Sequence, residues 1–237
     1  MAPIDAVSSS VDVPADASSD VRAATHARLR DGATALGLSL DTQTLARLDT
    51  YVAVLQTWGR KINLTAIPLD EPLRIAEQHF LDSLACAAQL PPASALPFPT
   101  LVDVGSGAGF PGVLCALLRP DLRVLLVERV GKKAAFLLTL RRELGLNYTV
   151  ESCEAESLIP SEAGHGFGVA VSRAALPPPL WLALGRRLVA PTGFVLAMMN
   201  EREEVPQASD CVCLAESMYA LAGGQRRIIT WQRQVAR

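Results

Sequence analysis

Short apolar runs alternate with amphipathic segments from Leu101 onward, and this alternation limits the possible folds more than any other feature. The runs predict seven β-strands, at Leu101–Val104, Val124–Val127, Tyr148–Ser152, Val169–Ser172, Gly193–Met198, Val212–Ser217 and Ile228–Gln232. The amphipathic segments predict helices at Gly112–Arg119, Lys132–Leu144 and Pro178–Val189. Such alternation is typical of a parallel sheet that is covered by helices on both faces through right-handed crossovers. The last two strands have no helix between them, which predicts an antiparallel hairpin at the sheet edge. The predicted fold class is therefore α/β, with a mostly parallel seven-stranded sheet.

The first hundred residues have a different pattern. Residues 1–20 are rich in Ala, Ser, Asp and Pro without periodicity, which predicts a disordered tail. Apolar residues at three- and four-residue spacing then predict helices at Val21–Leu36, from Asp41 or Thr42 to Trp58, and at Leu73–Gln89. A proline-rich stretch at 91–97 resembles a linker. The predicted organisation is a tail over 1–20, an N-terminal helical cap over 21–95 and an α/β domain over 96–237.

The overall composition indicates a soluble protein, because 50% of the residues are apolar and 19% are charged. No run of about 18 uncharged apolar residues predicts a membrane span, and the N-terminus lacks the pattern of a secretory signal. The five cysteines are scattered and the three histidines lack ligand spacing, so we expect reduced cysteines and no metal site. We expect a monomer in the cytoplasm, away from membranes.

The distribution of charge is more informative than the net charge of -2. The predicted tail contains four aspartates and no basic residue, so the remainder of the chain is net positive. Seven basic residues lie within 119–143, and four arginines lie within the last twelve residues. Both segments are candidate contacts for a polyanion such as RNA. A solvated helix face with a basic tail is the alternative.

A glycine-rich turn follows the first predicted strand, in the order Asp103-Val104-Gly105-Ser106-Gly107-Ala108-Gly109. Glycines allow a tight turn and let the backbone approach a ligand closely. In open α/β sheets, ligands bind at the carboxyl ends of the strands. Pro111 follows the turn at a position suited to the start of a helix. The turn therefore predicts a nucleotide-like ligand.

The glycine spacing alone leaves two ligands possible. The dinucleotide pattern G-x-G-x-x-G fails when counted from Gly105 but fits Gly107, Gly109 and Gly112, so NAD is compatible. Asp103 favours S-adenosyl-L-methionine, because a carboxylate attracts an ammonium and repels a pyrophosphate. Glu128, at the end of the second strand, lies where an acid holds a ribose diol in either ligand. The structural alternatives are that Asp103 caps a helix and that Glu128 is exposed.

Four segments resemble the bacterial 16S ribosomal RNA guanine-N7 methyltransferases of the glucose-inhibited division protein B type. They are Asn63-Leu64-Thr65-Ala66-Ile67, His79-Phe80-Leu81-Asp82-Ser83-Leu84, Leu101 to Gly112, and Ser172-Arg173-Ala174. The resemblance extends from about Leu48 to Thr230. It implies a Rossmann-like class I methyltransferase that uses S-adenosyl-L-methionine to methylate guanine N7 in 16S ribosomal RNA or in the 30S subunit or its assembly particle.

The resemblance also implies roles for individual residues. It implies that Gly105, Phe110, Glu128, Ala155, Glu156 and Arg173 contact the cofactor. The turn itself adds Asp103, Gly107 and Gly109 to the predicted cofactor-binding residues. Arg173, Asn63 and His79 would position the reacting groups, and Asp82 and Ser83 would shape the site from the cap. His79 and Asp82 could instead be a packing pair on one helix. Because guanine N7 has a lone pair and no proton to lose, transfer would need alignment and no strong base.

Two positions depart from the family pattern. Glu154 replaces the arginine that usually precedes the Ala-Glu pair, and Met198-Met199-Asn200 replaces the usual Lys-Gly after the fifth strand. The loss of two basic residues leaves two alternatives open. The RNA is held differently, by Arg173 and the C-terminal arginines, or the chain is a cofactor-binding or RNA-binding homologue with reduced catalysis. An NAD-dependent oxidoreductase is a further alternative.

Overall fold

The computed structural model describes residues 15–160 and 165–235, which form a seven-stranded sheet with helices on both faces. The strands are β1 (Thr100–Val104), β2 (Arg123–Val127), β3 (Tyr148–Glu151), β4 (Phe167–Arg173), β5 (Val189–Asn200), β6 (Cys211–Leu221) and β7 (Gly224–Arg233). Their order in the sheet is β3-β2-β1-β4-β5-β7-β6. Strands β1 to β5 are parallel, and β7 is antiparallel to β5 and β6. The predicted α/β class, the mostly parallel sheet and the edge hairpin are confirmed.

Helices surround the sheet. The N-terminal ones are α1 (Ala15–Ala35), α2 (Thr42–Gly59), α3 (Pro72–Ile75) and α4 (Leu81–Ala88), and a π-helical turn at Ala76–Phe80 joins α3 to α4. The later ones are α5 (Gly112–Leu118), α6 (Gly131–Leu144) and α7 (Pro178–Leu188), with 3-10 turns at Ala93–Ala95 and Ala155–Leu158. Asp41 begins α2 by accepting from the Thr44 amide at 2.7 Å. None of the described helices is long and apolar enough to span a bilayer.

Several boundaries differ from the predictions. Strand β5 begins at Val189 rather than Gly193, and a π-helical turn at Ala76–Phe80 interrupts the helix predicted over Leu73–Gln89. Helix α1 begins at Ala15, inside the segment 1–20 predicted as a disordered tail, and the part of that prediction on residues 1–14 lies outside the described residues. The hairpin strands are longer than predicted, because β6 and β7 pair with each other up to Leu221 and Gly224. Backbone pairing, which is independent of side-chain type, continues past the apolar positions from which the strands were predicted.

The cap helices share a core with the α/β domain. Leu48, Tyr51 and Leu84 of the cap belong to the same buried cluster as Phe110 and Phe136. A second cluster, which includes Trp181 and Trp231, fills the opposite face of the sheet beneath α7. Each buried side chain of leucine size contributes about 2 kcal/mol. The shared core fixes the N-terminal helices against the α/β domain and holds His79 and Asp82 at the end of β4, where the candidate site lies.

Candidate active site

A cavity of about 310 Å³ lies at the carboxyl ends of β1, β2 and β4. We call it the first cavity, and its lining includes four predicted cofactor residues: Gly105, Glu128, Ala155 and Glu156. Gly105 has a φ of 73°, which favours glycine, and it is exposed to the cavity. A Cβ added to Gly105 would collide with the Cβ atom of Ala175. Glycine is therefore required there both for the turn and for the space above it.

Glu128 connects the glycine turn to the start of α6. Its Oε2 atom accepts a hydrogen bond from the Gly107 amide at 2.9 Å, and Oε1 accepts one from the Val130 amide at 2.8 Å. The residue is only 6% exposed, yet it lines the first cavity. Each carboxylate oxygen has a second lone pair. Glu128 is therefore held rigidly and retains acceptor capacity toward a ligand.

Asp103 lies elsewhere than its predicted role requires. Its side chain is fully buried and points from β1 toward α5, where Oδ2 accepts from the Gly112 amide at 3.0 Å. Asp103 does not line the first cavity, and its Oδ1 atom has no hydrogen-bond partner among the described residues. Burial raises the pKa of Asp103 to about 6, although the Gly112 amide that donates to Oδ2 and the neighbouring Ser106 hydroxyl oppose the shift. The predicted contact with an ammonium is thus replaced by a structural contact with the helix start, so Asp103 no longer supports the choice between the two ligands.

Gly109 and Phe110 also face the protein interior. An added Cβ on Gly109 would collide with the Tyr51 hydroxyl, which donates to the Ala108 carbonyl at 2.6 Å. The Phe110 ring stacks on Tyr51 and on His79, with centroid distances of 5.1 and 4.6 Å. These residues do not line the first cavity. They fix the glycine turn to the cap.

A second cavity, of about 410 Å³, lies between the cap, the end of β4 and the β6–β7 hairpin. His79, Asp82, Arg173, Ala174, Asn200 and Arg226 are among the residues that line it. The first cavity begins at the next residue of the chain, because Ala175 lines it. The two cavities are therefore neighbours at the end of β4.

Arg173 is the centre of a hydrogen-bond network beside the second cavity. Its Nη1 atom lies 3.1 Å from His79 Nδ1 and 3.2 Å from Asp82 Oδ2, and its guanidinium carbon lies 5.0 Å from the centroid of the Phe110 ring. The Tyr219 hydroxyl donates to the other Asp82 oxygen at 2.6 Å. The structure therefore brings together the predicted residues Arg173, His79 and Asp82, and it supports them with Tyr219.

The protonation of His79 follows from its partners. Arginine only donates, so His79 Nδ1 accepts from Arg173, and the ring proton lies on Nε2, which is 2.6 Å from Thr65 Oγ1. Burial, followed by the charge of Arg173, lowers the pKa of His79 to about 3. His79 is therefore a neutral group with both nitrogens engaged, rather than a free base.

Some predicted site residues, and the positions that depart from the family pattern, lie apart from this network. Asn63 is exposed and lines neither cavity, so its role in positioning stays a prediction. Glu154 lines the first cavity and forms an exposed ion pair with Arg129 at 3.6 Å. Met199 is 1% exposed and packs in the second core cluster, on the sheet face opposite the cap. A longer basic side chain at that position would begin in the core, whereas the next residue, Asn200, lines the second cavity.

Two of the seven basic residues in segment 119–143 are engaged in structural contacts. Arg119 is bonded to Asp121 and to the carbonyls of Leu90 and Pro91, and Arg141 donates to the Tyr148 carbonyl. These arginines hold loops and strands together. Of the C-terminal arginines, Arg226 lines the second cavity and donates to Asn200 Oδ1 at 2.9 Å.

Sequence reasoning missed Tyr51, Thr65, Asn200 and Tyr219 as parts of the site. Thr65 and Asn200 carried an advance signal, because they lie inside the segments Asn63-Leu64-Thr65-Ala66-Ile67 and Met198-Met199-Asn200. Tyr51 and Tyr219 are single aromatic residues within ordinary helix and strand patterns. Within residues 15–160 and 165–235, no group of three or more acidic, histidine or cysteine side chains is arranged to hold a metal ion.

Comparisons with known proteins agree with the motifs. The family described as rRNA small subunit methyltransferase G matches residues 44–228. A ribosomal RNA small subunit methyltransferase G from Anaeromyxobacter dehalogenans is 38% identical, over 90% of this chain and 99% of the relative. One from Halorhodospira halophila is 36% identical, over 85% of this chain and 91% of the relative. These relatives contradict the alternative of an NAD-dependent oxidoreductase.

Solved structures support the same architecture. A magnesium protoporphyrin IX methyltransferase from Synechocystis, solved with bound S-adenosylmethionine, is similar with a TM-score of 0.52 and 13% identity, over 83% of this chain and 99% of that chain. The O-methyltransferase TomG from Streptomyces achromogenes is similar with a TM-score of 0.53 and 14% identity, over 83% and 92%. At these identities the likeness shows the fold, which is that of methyltransferases. Together with the family match, it establishes that this chain belongs to the rRNA small subunit methyltransferase G (GidB) family.

Proposed function

We propose that this protein transfers the methyl group of S-adenosyl-L-methionine to N7 of a guanine in 16S ribosomal RNA. The observation that carries the proposal is the pair of neighbouring cavities at the end of β4, one built around Gly105 and Glu128 and the other beside Arg173. Ribosomal RNA, free or in a 30S subunit or assembly particle, is the macromolecular partner. We further propose that the protein acts as a monomer in the cytoplasm.

The first cavity fits the cofactor. Gly105 exposes bare backbone to the cavity, and Glu128 retains acceptor capacity for a ribose diol. Ala155 and Glu156 line the same cavity, and we propose that they contact the adenine, as the family resemblance implies. When bound, the cofactor supplies a methyl group on a positively charged sulfur. Three carboxylates, at 128, 154 and 156, line this cavity together with the cations Arg129 and Lys133, so both signs of charge are available to a ligand that carries an ammonium and a carboxylate.

The groups around the second cavity suit a reaction that needs no base. Guanine N7 carries no proton, so the protein has none to remove. His79 is neutral and both its nitrogens are engaged. The rigid Arg173 network would instead orient the purine and exclude water, and alignment of the reacting atoms at about 3 Å would provide most of the rate.

Arg173 and Arg226 are the cations proposed to contact the RNA. Both line the second cavity, and each is held by a hydrogen bond from its guanidinium to a neighbouring side chain. The guanidinium group pairs well with phosphate and stacks on bases. RNA affinity supplied by such contacts falls steeply with salt concentration. Arg226 thereby provides a positive charge near Asn200. Met199, which occupies the place of the family's basic residue but packs in the core, cannot provide one.

Reduced catalysis is the second candidate, because Glu154 places a carboxylate where the family carries arginine. The Arg129–Glu154 pair nevertheless keeps a cation at the mouth of the first cavity. Cofactor binding without methyl transfer to any RNA would favour this second candidate. Replacement of Glu154 by Arg would then be expected to restore transfer.

The test uses 16S RNA and 30S subunits from a bacterium that lacks its own enzyme of this family. The protein is incubated with cofactor labelled in its methyl group, and the RNA is digested to nucleosides. We expect label in 7-methylguanosine, and none with Arg173→Ala. Labelling of a different nucleoside, or no labelling where a known family enzyme labels, would overturn the proposal.

A further inference from the structure

The chain leaves β4 in a conformation that L-residues rarely adopt. Ala174, which follows Arg173, has a φ of 53°. Thr192 is the other described non-glycine residue with a positive φ, and it lines neither cavity. Strained residues of this kind persist where the surrounding structure holds them, and they concentrate at functional sites.

Ala174 stands where the two cavities meet. Arg173 and Ala174 line the second cavity, and Ala175 and Leu176 line the first. Consecutive Cα atoms are about 3.8 Å apart. The linings of the two cavities therefore adjoin within one residue of backbone, between Ala174 and Ala175. Ala174 and Ala175 are both exposed, and neither carries more than a methyl group. At this junction the backbone therefore carries no side chain larger than a methyl group.

The position of Ala175 depends on this backbone conformation. Its methyl group occupies the space directly above Gly105, where an added Cβ would collide with it. A negative φ at residue 174 would redirect the next peptide and move Ala175 from that position. The position of Ala175 between Gly105 and Arg173 thus depends on the φ angle of residue 174.

We propose that the left-handed backbone at Ala174 holds open the passage between the cavities, so that Ala174 is a positioning residue for methyl transfer. The inference rests on the proposed function, because it assigns the methyl donor to one cavity and the guanine to the other. The side chain of Ala174 has no chemical part in it. What matters is that the backbone of residue 174 remains left-handed.

Asparagine and valine at position 174 separate conformation from size. The two side chains have similar volumes, but asparagine tolerates the left-handed region and a β-branched residue does not. We expect Ala174→Gly and Ala174→Asn to keep kcat within about threefold, and Ala174→Val to lower kcat about 100-fold, as a misplacement of about 1 Å does. The cofactor Kd from calorimetry should change far less than kcat. Circular dichroism and thermal unfolding would verify that each variant is folded.

A bisubstrate probe makes the test independent of turnover. In this probe the sulfur of S-adenosylhomocysteine is joined through a methylene chain to N7 of guanine. We expect the wild type and Ala174→Asn to bind it more tightly than S-adenosylhomocysteine, and Ala174→Val to lose that difference. The proposal would be overturned if Ala174→Asn and Ala174→Val lost equal affinity for the probe, or if Ala174→Val lost none. Tight binding of the probe by a wild type that methylates no RNA would instead count against the proposed function alone.

Discussion

The Nη1 atom of Arg173 lies 3.2 Å from Asp82 Oδ2, although the two residues are 91 positions apart in the chain. Their side chains are 17% and 3% exposed, so the pair is largely removed from water. Tyr219, from the edge hairpin, completes the carboxylate's hydrogen bonds. The sheet, the cap and the hairpin therefore meet on one buried carboxylate beside the second cavity.

Removal of one partner of this pair is expected to be costly. Arg173→Ala would leave the Asp82 carboxylate buried without its cation, and we expect a loss of about 3 kcal/mol in the free energy of unfolding. Tyr219→Phe removes one donor to the carboxylate and should cost about 2 kcal/mol. Urea unfolding measures both. If Arg173→Ala lost less free energy of unfolding than Tyr219→Phe, the result would contradict the pairing of Arg173 with Asp82.

The ring of His79 should remain neutral throughout the physiological pH range. Its pKa is lowered to about 3, so folding disfavours its protonated form, and the stability it contributes is lost as pH falls from about 6.5 toward 3. Nitrogen NMR of labelled histidines, with His79→Gln to assign the signal, should show no titration of His79 between pH 5 and 8. A midpoint near pH 6.5 would contradict the described network.

Asp103 predicts an opposite pH dependence. Its pKa is raised to about 6 in the folded protein, so the ionised carboxylate disfavours folding, and stability falls as pH rises from about 4 to 6. A shift of about two units corresponds to about 3 kcal/mol. The difference in unfolding free energy between wild type and Asp103→Asn should change in that direction over this interval. A constant difference from pH 4 to 7 would show that Asp103 is not buried.

The Glu128 carboxylate should be needed for cofactor binding. In Glu128→Gln one oxygen is replaced by an amide that cannot accept, so either the Gly107 or the Val130 amide loses its acceptor. We expect the Kd of S-adenosyl-L-methionine to rise about tenfold or more, the effect of losing a charge-assisted hydrogen bond. Glu151→Gln is the matched control, because Glu151 is exposed and lies outside the first cavity. Equal effects from the two variants would argue against the role of Glu128.

Restoring a lysine at position 199 is expected to destabilise the protein. Met199 packs in the second core cluster, so Met199→Lys would place an ammonium group among apolar side chains, at a cost of about 3 kcal/mol. Met199→Leu keeps the apolar contacts and should cost less than about 1.5 kcal/mol. Chemical unfolding compares the two variants. A stable Met199→Lys protein with tighter RNA binding would mean that the side chain reaches the second cavity.

The sequence predicted the elements of the fold well because their signals are local. Apolar alternation located all seven strands, and the absence of a helix after β6 predicted the edge hairpin. Side-chain direction was harder to predict. Asp103 belongs to the ligand-binding turn in sequence, yet its carboxylate points into the core because its neighbour Gly112 leaves room for it.

The sequence by itself determined where the strands and helices lie along the chain, the glycine turn and the family. Each of these depends on short segments of neighbouring residues. Only the tertiary structure decided that Tyr219 reaches Asp82, that Met199 faces the core and that Ala174 separates two cavities. These relationships depend on how distant segments pack and on which face of a strand each side chain lies. The physical reason is that the spacing of apolar residues indicates which side chains are buried but not which side chains they contact.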